Sequence, residues 1–184
     1  MSPGVILAAL LAVIVWGGSP VGTKFAVASL PPLAVAALRT VLGGVFALSL
    51  ALVLRIPPPA GGRRRLLLAL SSFGGFIGFP AVFTVAMQHT SGIHGAMILA
   101  SLPMSTGAIT HAVNRSLPGR RWWIGCALAA AGELLLVAIR HGGAGQAASL
   151  GGDALALFST LFASGGYVAG AMLTQTGYPS QGAT

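Results

Sequence analysis

Acidic side chains are nearly absent from this sequence. Glu133 and Asp153 are the only two among 184 residues, against ten lysines and arginines. Charged residues of both signs make up 7% of the chain, where a soluble domain carries about 25%. So few charges cannot cover a water-facing surface, which excludes a soluble enzyme. A hydrophobic content of 55% excludes a disordered chain. Cysteine is reduced to Cys126, so no intramolecular disulfide can form. Alternation at period two is missing, and the apolar runs outlast the roughly nine to eleven residues of a membrane β-strand. There is no phosphate loop, nucleophile elbow or zinc motif. Gly74-Gly75 and Gly151-Gly152 lack the strand–turn–helix setting of a nucleotide site. His89, His94, His111 and His141 are not spaced as converging ligands. No metal, no cofactor and no enzymatic activity are expected.

What is present is length of apolar chain. Mean hydropathy is +0.87. A bilayer core takes about 20 apolar residues as helix. Six runs meet that need: residues 5–27, 33–54, 66–87, 93–112, 122–139 and 154–173. Turn chemistry separates them, as in Leu30-Pro31-Pro32, Ile56-Pro57-Pro58-Pro59-Ala60-Gly61-Gly62 and Leu117-Pro118-Gly119. The expected fold class is all-α, a polytopic membrane helix bundle of six transmembrane helices in a lipid bilayer. The first run is read as a helix and not as a signal peptide, although Ala26-Val27-Ala28 resembles a cleavage site. No base precedes Val5, and Lys24 interrupts the run.

The net charge is +8, which in a soluble protein would suggest nucleic acid. Here the bases lie between apolar runs and report topology, so no nucleic-acid partner is expected. Arg55, Arg63, Arg64 and Arg65 fall between runs two and three; Arg115, Arg120 and Arg121 fall between runs four and five. The opposite loops hold only Arg140. This bias puts the seven arginines, and both termini, in the cytoplasm.

The chain also resembles itself. At an offset of 148, Gly4 to Lys24 lies over Gly152 to Met172, with six identities: Gly4/Gly152, Leu7/Leu155, Ala8/Ala156, Gly17/Gly165, Gly18/Gly166 and Gly22/Gly170. Composition alone would give about two or three. Five helices fill one period, and an odd number inverts the next copy, which is the mark of an inverted-topology repeat. Residues 1–141 are then a first five-helix repeat, and residues 149–184 the first helix of a second repeat with a polar tail. On this reading the second copy lies on further polypeptide, or a second subunit, such as another copy of the chain, supplies it.

Several segments resemble a known family. Trp16-Gly17-Gly18-Ser19-Pro20-Val21-Gly22-Thr23-Lys24 is similar to the first helix of the EamA family of the drug/metabolite transporter superfamily. Leu30-Pro31-Pro32 with Ala36-Ala37-Leu38-Arg39-Thr40 resembles the opening of its second helix. Ala86-Met87-Gln88-His89-Thr90-Ser91-Gly92 with Ala96 to Pro103 resembles its third-to-fourth hairpin. Arg121-Trp122-Trp123-Ile124-Gly125 resembles its fifth helix, and Gly152-Asp153-Ala154-Leu155 the start of its second repeat. The stretch Asn114 to Gly119 lacks the acid often found before the fifth helix. The resemblance implies ten helices in two inverted repeats, a small-molecule substrate such as a metabolite or drug, export through a central cavity, and residence in a bacterial inner membrane.

Polar residues within a span are costly and often functional. Lys24 and Arg39 lie at similar depth across a short hairpin and form a candidate patch for an anionic or zwitterionic substrate, or snorkel to the interface. Glu133, the one acid inside a run, is a candidate proton or cation site, or a partner for Arg140. Trp16, Phe83 and Gln88 are candidate pocket residues. Gly17, Gly18 and Pro20 in the first run, and Pro103 in the fourth, are expected helix breaks; close packing competes as the reading of the two glycines.

Topology is open to a direct check. In a Cys126→Ala background, Gly62→Cys and Gln146→Cys place single thiols in opposite loops. An impermeant thiol reagent added to intact cells is expected to label only the second. Labelling at position 62 would reverse the orientation.

Overall fold

The computed structural model describes residues 3–139 and 149–183. Every described secondary element is helical. Helix α1 spans Pro3–Ser29 and α2 spans Pro32–Val53. The third span is one column of 28 residues, Gly62–His89. It contains α3 (Gly62–Ser72), a π-helical segment (Phe73–Gly78) and α4 (Phe79–His89). The fourth holds α5 (Gly92–Ala100) and α6 (Leu102–Val113). Helix α7 spans Arg120–Ile139, α8 spans Leu150–Gln175, and a last turn, α9, spans Ser180–Ala183. Five of the columns are long and apolar enough to cross a membrane, so the chain is an all-α polytopic bundle.

The helix ends follow from local chemistry. Pro32 opens α2 at a position whose N–H would have no partner anyway. Helices α2 and α6 both end on an arginine in the left-handed region, Arg55 (φ 51°) and Arg115 (φ 50°). In each case the next N–H reaches back to satisfy a late carbonyl, Ile56 to Ala51 at 2.9 Å and Ser116 to His111 at 3.0 Å. Pro57 and Pro118 then prevent continuation. Ser149 caps α8 by accepting from the Gly152 N–H at 3.0 Å.

The expected breaks in the first run do not occur. Helix α1 runs through Gly17, Gly18 and Pro20 without interruption. In lipid, an opened helix would strand N–H and C=O groups, so the ladder stays closed despite a weak glycine propensity. Proline at 20 withholds a donor only from the Trp16 carbonyl. Among the described residues, nothing lies within 4 Å of a Cβ placed at Gly17 or Gly18, so no close helix contact within the described part of the chain uses them. The fourth column is interrupted, at Ser101, two residues before Pro103 in the first turn of α6.

Glycine closeness is found elsewhere, where α8 crosses the third column. A Cβ on Gly74 would sit 2.9 Å from Gly166 Cα, and one on Gly166 would sit 2.8 Å from the Gly75 nitrogen. Lipid is as apolar as leucine, so helices associate through such van der Waals fit. Helix α8 is accordingly the most buried column. Its Ala156 and Ala163 join Phe79, Phe83, Ala86 and Met87 in the main core. Its serine and threonine hydroxyls are satisfied locally or by neighbours: Ser159 donates to Ala156 O at 2.5 Å, and Ser164 meets Ser105 Oγ at 2.7 Å and Thr106 Oγ1 at 3.0 Å. At the opposite end of α8, Leu67, Ala169, Leu173, Tyr178 and Ala183 form a second cluster.

This geometry sets up a paired test. Gly74→Ala forces a methyl into backbone and is expected to cost about 1–3 kcal/mol. Gly17→Ala meets open space and should be neutral or stabilising by up to about 1 kcal/mol. Thermal unfolding of both variants in one detergent checks the ranking. Equal melting temperatures would contradict the crossing.

Candidate substrate cavity

A cavity of about 870 Å³ lies between α1, α2, the third column, α5 and α8. Its walls are mainly apolar and include four aromatic rings, Trp16, Phe76, Phe79 and Tyr167. Trp16 and Tyr167 face each other from α1 and α8 with ring centroids 6.1 Å apart. Ser19, Arg39, Thr40, Ser71, Thr174 and Ser180 supply the polar part of the wall. Ser19 is one helical turn from Trp16 and so shares its face; Tyr167, Gly170 and Thr174 share a face of α8 in the same way.

The π-helical segment shapes the middle of this wall. A wide turn displaces the backbone, and Pro80, four residues on, has no N–H to offer the Phe76 carbonyl. Thr40 on α2 donates its hydroxyl to Phe76 O and so ties α2 to the segment.

Arg39 is the charged residue of the wall. It is half-buried, donating Nη1–H to Thr23 Oγ1 at 2.8 Å and Nη2–H to Ser19 Oγ at 3.2 Å. Thr23 in turn donates to Ser19 O at 2.8 Å. Among the described residues, no carboxylate lies within 4 Å of the guanidinium.

Residues 3–138 match the model of the EamA-like transporter family. The chain belongs to that family. It is also similar to an uncharacterized transporter of Bacillus subtilis strain 168, YdeK, with 32% identity over 165 residues. That alignment covers 90% of this chain and 56% of YdeK, so the chain spans little more than half the length of this relative. No solved structure gives a significant match.

The two ends of this EamA bundle are closed differently. At the end bearing Ser29 and His89, polar bonds knit four columns together. Lys24 Nζ donates to Met87 O at 2.9 Å and to Thr90 O at 2.7 Å, satisfying the C-terminus of α4. Asp153 accepts from Thr90 Oγ1 and pairs with His94 Nδ1 at 2.9 Å. Ser149 Oγ donates to His89 O at 2.9 Å. At the arginine-rich end, the tail folds back. Tyr178 donates to Pro57 O at 2.8 Å, Ser71 to Ala183 O at 3.2 Å, and Arg64 to Thr176. Ser71, Thr174 and the α9 residues Ser180 and Ala183 border the cavity on that side.

Of the residues singled out in the sequence, Trp16 and Arg39 line the cavity. Lys24 does not join Arg39: its ammonium is held by the α4 carbonyls. Phe83 is fully buried, with its ring 5.2 Å from that of Phe79. Gln88 is exposed near the end of α4. The side chain of Glu133 and the whole of Arg140 lie outside the described residues. Among those described, no three of His, Cys, Asp and Glu converge, so no residue is assigned to a metal. Ser19, Thr40, Ser71, Phe76, Phe79, Tyr167 and Thr174 are additional lining residues. Shared helical faces with Trp16 and with Gly170 were the available signal for Ser19, Tyr167 and Thr174.

Proposed function

We propose that this chain forms the first half of a secondary transporter that exports small metabolites or drugs, with substrate held in the cavity around Arg39. The observation that carries this reading is an aromatic-walled cavity at mid-span with one charged group in it. Such sites are mostly apolar with a few convergent polar groups. Export is carried over from the family resemblance, and the asymmetry of the ends gives the side from which substrate reaches the cavity in this arrangement. The Lys24 and Asp153 bonds lock the end opposite the arginines, while the cavity extends toward the arginine-rich, cytoplasmic end. On this reading both termini are cytoplasmic, in a bacterial inner membrane. Binding and release need no covalent step, and the protein is not an enzyme.

The internal repeat supports a second half. Gly166 and Gly170 of α8 are met by the third column, through Gly75 and Ser71, and Gly170 also by Ala183 of α9. Their counterparts in α1, Gly18 and Gly22, have nothing within 4 Å of a Cβ. An inverted second repeat would bring its own third helix to those two glycines, as an inverted-repeat carrier requires. Further polypeptide or a second subunit can supply it.

Liposome flux tests the proposal with a panel of amino acids, nucleosides, cationic drugs and organic anions. The 184-residue chain alone should give no saturable flux, whereas a form extended through a second five-helix repeat should. Gly18→Leu should leave the melting temperature of the short form unchanged and lower flux in the extended form at least tenfold. Saturable flux by the short form would favour a homo-oligomer. No flux from either form would overturn the transport reading.

A further inference from the structure

Arg39 is placed in the cavity wall with most of its binding capacity unspent. A guanidinium carries five N–H donors, and the structure shows two bonds from it, to Thr23 and Ser19. Both acceptors are neutral hydroxyls, and among the described residues no carboxylate stands beside the positive charge. Asp153 is engaged by His94 and Thr90 at the far end of the bundle. Helix α7, which carries Glu133, contributes none of the described lining residues. A cation away from bulk water interacts strongly with whatever charge enters beside it.

We propose that the cavity selects an organic anion: a carboxylate or sulfonate head on Arg39, with a flat apolar body between Trp16, Phe76 and Tyr167. This rests on the transport reading and narrows its substrate class. The remaining N–H groups of the guanidinium can receive two oxygens side by side, the geometry that makes arginine the preferred partner of planar anions. The aromatic walls take up the body without demanding hydrogen bonds. The same lining disfavours an ammonium group. No described carboxylate borders the cavity, so the ammonium of an amine would sit near a like charge without a counter-ion. A zwitterion meets the same obstacle at its amino end.

Three ligands of nearly equal size separate these cases: 3-phenylpropionate, L-phenylalanine and 3-phenylpropylamine. Binding is measured by calorimetry on the full chain in nanodiscs of zwitterionic lipid at pH 7, with empty nanodiscs subtracted. The acid should bind at least tenfold more tightly than the amino acid or the amine. Arg39→Gln should lose at least tenfold in affinity for the acid, and Arg39→Lys should keep part of it. The ranking on the unaltered protein needs no variant, so misfolding of Arg39→Gln would not protect the proposal. Equal or tighter binding of the amine or the amino acid, or no binding of the acid, would overturn it. So would unchanged affinity in Arg39→Gln. Arg39-dependent acid binding without flux in the extended form would instead defeat transport and leave the anion site standing. Saturable flux of cations alone would do the reverse.

Discussion

A Cβ on Gly166 would lie 2.8 Å from a backbone nitrogen of the third column, and one on Gly74 would lie 2.9 Å from Gly166 Cα. That backbone-to-backbone crossing is the constraint on which the remaining geometry rests. It brings α8 close enough to bury Ala156 and Ala163 against Phe79, Phe83 and Met87. It sets Tyr167 opposite Trp16. It also carries Tyr178 and α9 back under the bundle, where Ser71 and Pro57 hold them. No apolar driving force separates helix from lipid, so fit of this kind has to do the assembling.

Scarcity of charge is the second constraint, and it sorts the polar residues into two groups. Lys24, Asp153 and His94 have partners at one end of the bundle, where they satisfy a helix terminus and each other. Arg39 has only hydroxyl partners and faces a cavity. A charge kept within a span, with no described carboxylate beside it, is the kind of cost that membrane proteins bear at functional positions.

Much of the architecture was legible in the sequence because lipid leaves few options. Runs of apolar residues about 20 long must be helices, and Pro57 to Pro59 or Pro118-Gly119 must end them. The same rule explains the misreading of Gly17, Gly18 and Pro20, since a helix in lipid tolerates weak formers sooner than it opens. The π-helical segment was not legible: Phe73 to Gly78 has no local marker that separates a wide turn from an ordinary one. Depth, which sequence gives, put Lys24 beside Arg39. Direction around the helix, which tertiary packing decides, sent Lys24 to α4 and Arg39 to the cavity. Phe83, one turn beyond Phe79, is wholly buried in the core cluster and is not among the described lining residues.

The claim that α8 is seated among the first four columns and forms a wall of the cavity can be tested without any knowledge of substrate. Ser105 on α6 and Ser164 on α8 have hydroxyl oxygens 2.7 Å apart, which suits a disulfide of about 2.05 Å between cysteines at those positions. In a Cys126→Ala background, Ser105→Cys with Ser164→Cys should oxidise spontaneously to a monomeric cross-linked species in membranes, identified by peptide mapping. Free thiols at both positions under mild oxidant, or only intermolecular cross-links, would contradict the packing of α8 and with it the cavity.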